Sequence, residues 1–117
     1  MPLGKAEILT NEAKPTVTII SWGASLYTVE QALTLIGTDP TLLKGTHTHA
    51  RPEIIDLRTI LPWDRETVFE SVKRSGRAII VHEASRGGGA GEGIAAEIAE
   101  ECFLHMEAPV QRVTGAE

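Results

Sequence analysis

The chain has 117 residues, 42% hydrophobic and 23% charged, with a formal net charge of −5 at pH 7. That is room for one domain around one core, in a composition that folds instead of staying disordered. The acid excess speaks against nucleic acid as a partner, and no apolar run approaches the roughly 20 residues a membrane helix needs. A single cysteine, Cys102, excludes an internal disulfide framework and fits a reducing compartment, as a packing thiol in an apolar helical pattern. Residues 1–5 lack the apolar core of a signal peptide and the arginine richness of a transit peptide. Any organelle address is expected to have been removed, or the chain to be part of a longer one.

In chain order, residues 5–9 read as a short extended segment. Residues 15–22 are dense in β-branched side chains and stop at Gly23, which predicts a strand. Ser25 offers an N-cap, and Leu26, Val29, Leu33 and Ile36 recur at helical spacing up to Gly37. Residues 38–52 form a polar loop that contains His47 and His49. A short apolar strand is predicted over 53–57, and Pro62-Trp63-Asp64 then turns the chain. Asp64 caps a helix whose inner face is Val68 and Val72 with Phe69 beside them, and Gly76 ends it in the left-handed conformation. Residues 77–83 predict a third strong strand. Ile94, Ile98 and Cys102 mark a further helix, stopped before Pro109, and residues 110–113 a last strand.

The order is therefore β, β-α-β-α-β-α-β. Strands alternating with helices imply right-handed crossovers and a mostly parallel sheet covered on both faces, a three-layer α/β/α domain. Pattern alone does not orient the first strand.

The stretch from Val81 to Gly93 joins a strand to a helix, where α/β proteins place ligands or partners. It satisfies G-x-G-x-x-A at 91–96, but Glu92 would stand inside the pyrophosphate cradle and repel the anion, and the loop before it is too long for that motif. The glycines read instead as letting a helix start close to the sheet or to a partner's backbone. His82 and Glu83 invite acid-base chemistry, yet neighbours on a strand point to opposite faces and form no dyad, so a structural or interface role is favoured. His47 and His49 lack an evident third metal ligand. His105, at a helix end, is expected to meet terminal carbonyls. Asp56 and Arg58, where the chain leaves a strand and enters a turn, read as a buried ion pair or cap, or as presenting Arg58 to a partner's carboxylate. Trp22 and Trp63, both at strand exits, read equally as core or as contact surface. No residue is assigned a catalytic, cofactor-binding or metal-binding role.

Three runs carry a resemblance: D-L-R-T-I-L-P-W-D at 56–64, V-H-E-A at 81–84, and E-E-C-F-L-H-M-E-A-P-V-Q-R-V at 100–113. They resemble the C-terminal domain of decarboxylase β subunits of branched-chain 2-oxo acid dehydrogenase complexes, in the transketolase-like, thiamine-diphosphate-dependent family. The likeness runs from about Pro2 to Gly115, so that residues 1–117 are expected to form one such domain of a longer β subunit. It implies a mixed five-stranded sheet of order 1-3-2-4-5 with the first strand antiparallel, and a switch point between the strands ending at Trp22 and Glu83. Thiamine diphosphate and magnesium are implied for the parent complex, held by other domains and not by this one. The implied partners are an α subunit and a second β subunit in an α2β2 assembly, and the dihydrolipoyl acyltransferase core. The implied compartment is the mitochondrial matrix in a eukaryote and the cytoplasm in a bacterium. Relatives continue past Gly115 with an aromatic- and proline-containing tail, and the 38–50 loop looks longer than in most of them. Pyruvate-type β subunits are the nearest alternative.

The interface candidates are thus Trp22, Gly23, Arg58, Trp63, His82, Glu83, Ser85 and Arg86. A reading from another class is a free-standing module that binds a small anion at the switch point. There Gly23, Ser85, Arg86 and the amides near Gly93 would be the donors.

Overall fold

The β-branched runs become the centre of a five-stranded sheet. The computed structural model describes residues 5–10, 13–23, 25–38, 51–58, 63–82 and 90–113, without the side chains of 33–38. The elements are β1 (Glu7–Ile8), β2 (Val17–Ser21), α1 (Ser25–Thr38), β3 (Pro52–Asp56), α2 (Arg65–Ser75), β4 (Ala78–Val81), α3 (Ala90–Glu101) and β5 (Gln111–Val113). A 3-10 turn, Phe103–His105, lies between α3 and β5. The strand order is β1-β3-β2-β4-β5. β1 runs antiparallel to β3 and every other pair is parallel, as the resemblance implied.

Register decides which face each residue serves. Ile20 of β2 lies opposite Ile55 of β3 and Ile80 of β4, and all three are fully buried under α2 and α3 with Val68, Val72, Ile94, Ile98 and Cys102. One residue earlier the strands point the other way, and Ile19 and Ile54 pack with Val29 of α1. Two helices therefore cover one face and α1 covers part of the other, which gives the expected three layers.

Helix α2 begins and ends as local chemistry dictates. Asp64 accepts the Thr67 amide at 3.2 Å and the Thr67 hydroxyl at 2.6 Å, and it also receives the Ala6 amide at 3.0 Å, which ties the β1 segment to the helix start. Gly76, at φ 76°, closes the other end by donating its amide to the Val72 carbonyl at 2.7 Å.

Some expectations shift. Ser25 is the first residue of α1 and not its cap. β1, β2, β4 and β5 are shorter than expected, because a ladder ends where the neighbouring strand ends, and β3 keeps its length but starts one residue earlier. His105 meets a helix-end carbonyl through its backbone, donating its amide to Cys102 at 2.8 Å. The buried hydroxyls of α2 escaped the apolar pattern altogether. Thr18 Oγ1 lies 2.7 Å from Ser71 Oγ and 2.8 Å from Ser75 Oγ, a polar cluster inside the α2 face. Thr38, the expected start of the polar loop, is the last residue of α1, and residues 39–50, with His47 and His49, fall outside the described residues.

Candidate functional site

From β2 the chain crosses to β3 on one side, then returns past β2 to β4 on the other. The topological switch point is therefore the gap between the carboxyl ends of β2 and β4. Trp22 and His82 stand there, each two residues beyond a buried isoleucine and hence on the α2/α3 face. Their rings stack at 5.4 Å between centroids and 14° between planes. Below them Ser21 Oγ donates to the Val81 carbonyl at 2.8 Å, tying the two strand ends together.

His82 is 3% exposed. Its amide donates to the Val113 carbonyl at 3.1 Å, while among the described residues neither ring nitrogen has a hydrogen-bond partner. The ring lies against the first turn of α3, so closely that a Cβ at Gly91 would meet Nε2 at 2.5 Å and Cδ2 at 2.8 Å. Gly91 and Gly93 are thus helical residues, not a turn cradling a phosphate, and Gly91 lets the helix close on the imidazole. Burial pushes the His82 pKa below its ordinary 6.5, and the positive charge of Arg112 pushes the same way. The ring is neutral at pH 7.

The other candidates separate. Gly23, at φ 64°, turns the chain out of β2 in a left-handed conformation that suits glycine. Arg58 also takes a left-handed conformation, at φ 62°. Its amide donates to Asp56 Oδ1 at 3.0 Å and its guanidinium pairs with the Glu7 carboxylate of β1, so an ion pair within the chain engages it. Trp63 is a core side chain, edge-on to Phe69 at 5.7 Å. Arg65 lies over its ring at 4.7 Å while holding the Glu97 carboxylate at 2.7 and 3.0 Å. Glu83, Ser85 and Arg86 fall outside the described residues.

Two surface clefts complete the picture. One, of about 440 Å³, lies at the carboxyl edge among Leu9, Gly23, Leu26, Tyr27, Glu30 and Asp56. The other, of about 390 Å³, is mainly apolar and runs along Phe103, Met106 and Pro109 at the far end of α3. Among the described residues no three His, Cys, Asp or Glu side chains converge as metal ligands.

A model of the transketolase C-terminal domain matches residues 4–117, and the strand order with its antiparallel edge strand agrees with the fold the resemblance implied. The chain belongs to that family. As a transketolase C-terminal domain it is 49% identical over 115 residues to the mitochondrial 2-oxoisovalerate dehydrogenase subunit beta of Dictyostelium discoideum. The alignment covers 98% of this chain and 28% of that protein. It is 43% identical over 115 residues to the mitochondrial 2-oxoisovalerate dehydrogenase subunit beta 2 of Arabidopsis thaliana, covering 98% and 29%. This transketolase C-terminal domain therefore spans less than a third of the length of the curated relatives it matches. A solved split-gene transketolase, described as an inactive beta4 tetramer, superposes with a TM-score of 0.70 at 23% identity, covering all of this chain and 34% of that one. That likeness speaks for the fold.

Proposed function

We propose that the chain is the C-terminal domain of the β subunit of a 2-oxo acid dehydrogenase of the branched-chain kind. The parent assembly would decarboxylate 2-oxo acids and acylate lipoyl-lysine. The observation that carries this reading is the 49% identity to a 2-oxoisovalerate dehydrogenase β subunit across 98% of the chain. Within that assembly the domain contributes structure and contact surface, and other polypeptide contributes the reacting groups. The described residues do not fit thiamine diphosphate or magnesium: the switch point is packed with Trp22, His82 and Gly91, and no ligand set is grouped elsewhere. The thiamine ylid is the electron sink of such a decarboxylation, so no step of it is assigned to residues of this chain. Partners on this reading are an α subunit, a second β subunit and the acyltransferase core. The compartment is the mitochondrial matrix if the source is eukaryotic and the cytoplasm if it is bacterial.

The Trp22 ring stacked on His82 at the switch point weighs against the small-anion module. Calorimetry with phosphate, sulfate and 2-oxo acids should give no saturable heat.

A chimera tests the assembly reading. Residues 4–117 replace the matching segment of the Dictyostelium β subunit, which is expressed with its α subunit. The expected result is a purified complex that releases carbon dioxide from branched 2-oxo acids with thiamine diphosphate and magnesium, while the 117-residue chain alone releases none. Turnover by the chain alone, or a chimera that folds but does not join the α subunit, would overturn the reading.

A further inference from the structure

The carboxyl edge holds a titratable group that the assembly role does not use. His82 is buried at 3% exposure, and among the described residues neither ring nitrogen has a partner, which in a buried polar group calls for a physical reason. The neutral ring acts as an aromatic plate, stacked on Trp22 of β2 and pressed against Gly91 of α3. Protonated, the same ring would carry a unit charge and two N–H donors with no acceptor for either among the described residues. The charged groups described around it offer no relief. Arg112, from β5, opposes a second positive charge. α3 presents the positive end of its dipole, and Glu92, beside Gly91, lies on the exposed side of that helix. β2 brings Trp22, which is uncharged.

We infer that His82 is an acid-sensitive latch: its neutral imidazole holds the first turn of α3 against the ends of β2 and β4, and protonation releases that turn. The device is independent of which subunits meet this edge. Its sign follows from proton linkage. An imidazole freed by opening titrates near the ordinary 6.5, while the closed one titrates lower. Protons therefore bind the open form first, and opening grows as pH falls from 6.5 towards the folded value.

Hydrogen exchange read by mass spectrometry, on the full polypeptide that carries this domain, tests the latch. Exchange at the imidazole C2 position gives the titration midpoint of His82. Amide exchange, corrected for its intrinsic pH dependence, follows α3 and, as a reference, α2. The expected result is a His82 midpoint below the ordinary 6.5. Protection at Ile94 should fall about tenfold between roughly pH 7.5 and pH 5.5 while Val72 keeps its protection. His82→Phe keeps an aromatic plate on Trp22 and should make Ile94 protection independent of pH. A His82 midpoint at or above 6.5, or pH-dependent Ile94 protection that persists in His82→Phe, overturns the latch. Should that variant fail to fold, the wild-type protein still decides: Ile94 protection that stays constant over this range overturns the latch, and loss confined to α3 supports it.

Discussion

Gly91 and Gly93, two residues apart in one helix, meet different surroundings. At Gly91 an added methyl would press on the His82 ring, itself stacked on Trp22, whereas at Gly93 nothing lies within 4 Å. Gly91→Ala is expected to destabilise the domain by about 1–3 kcal/mol, the usual range for overpacking. Gly93→Ala should stabilise it by about 0.5–1 kcal/mol through helix propensity alone. Urea denaturation of the two variants checks the contrast, and equal effects would contradict the packing described for His82. The sequence suggested that glycines here permit close approach. Which glycine, and to what, depends on the position of β4 under α3.

At the scale of elements, α2 shows both what local chemistry announces and what it conceals. Its cap and its terminal glycine were readable because each acts within a few residues of itself. Asp64 does more than cap, since it also receives the amide of Ala6 from 58 residues away. Burial alone would raise its pKa above 3.8, but the Thr67 hydroxyl, the Ala6 and Thr67 amides and the charge of Lys5 together hold it lower. A carboxyl lowered on folding contributes stability that is present above 3.8 and lost as pH falls through the folded value. Asp64→Ala should therefore remove about 1–3 kcal/mol at neutral pH. Asp64→Asn, which has no carboxyl to titrate, should flatten the loss of stability below about pH 4 in acid-unfolding curves. The hydroxyl cluster was concealed, because Thr18 reads simply as a strand residue until register sets it beneath Ser71 and Ser75. Thr18→Val leaves Ser71 without its buried partner and should cost about 1–3 kcal/mol, with part of the loss recovered in Thr18→Val/Ser71→Ala. A double-mutant cycle in denaturant measures the coupling, and a coupling of zero would show the cluster to be incidental.

At the scale of the whole molecule, apolar surface remains uncovered. Leu104 is 90% exposed and Phe103 73%. On the face that α1 only partly covers, Val113 is 55% exposed beside Val81 across the β4–β5 pair. Patches of this kind favour association, so sedimentation equilibrium on the 117-residue chain should show apparent mass rising with concentration, and Leu104→Lys should reduce the rise. A strictly monomeric chain at millimolar concentration would contradict this. What the amino-acid order determined by itself was periodic and local: β-branched runs for the central strands, a helical repeat for each crossover, and end signals at Asp64 and Gly76. Those patterns arise from the 2-residue and 3.6-residue repeats of the backbone, which act within one element. Only the tertiary structure decided that Trp22 stacks on His82, that Gly91 closes on the same ring, and that Arg58 answers Glu7. Each of these unites residues at least 9 positions apart, and depends on strand register and helix placement, which no window of sequence contains.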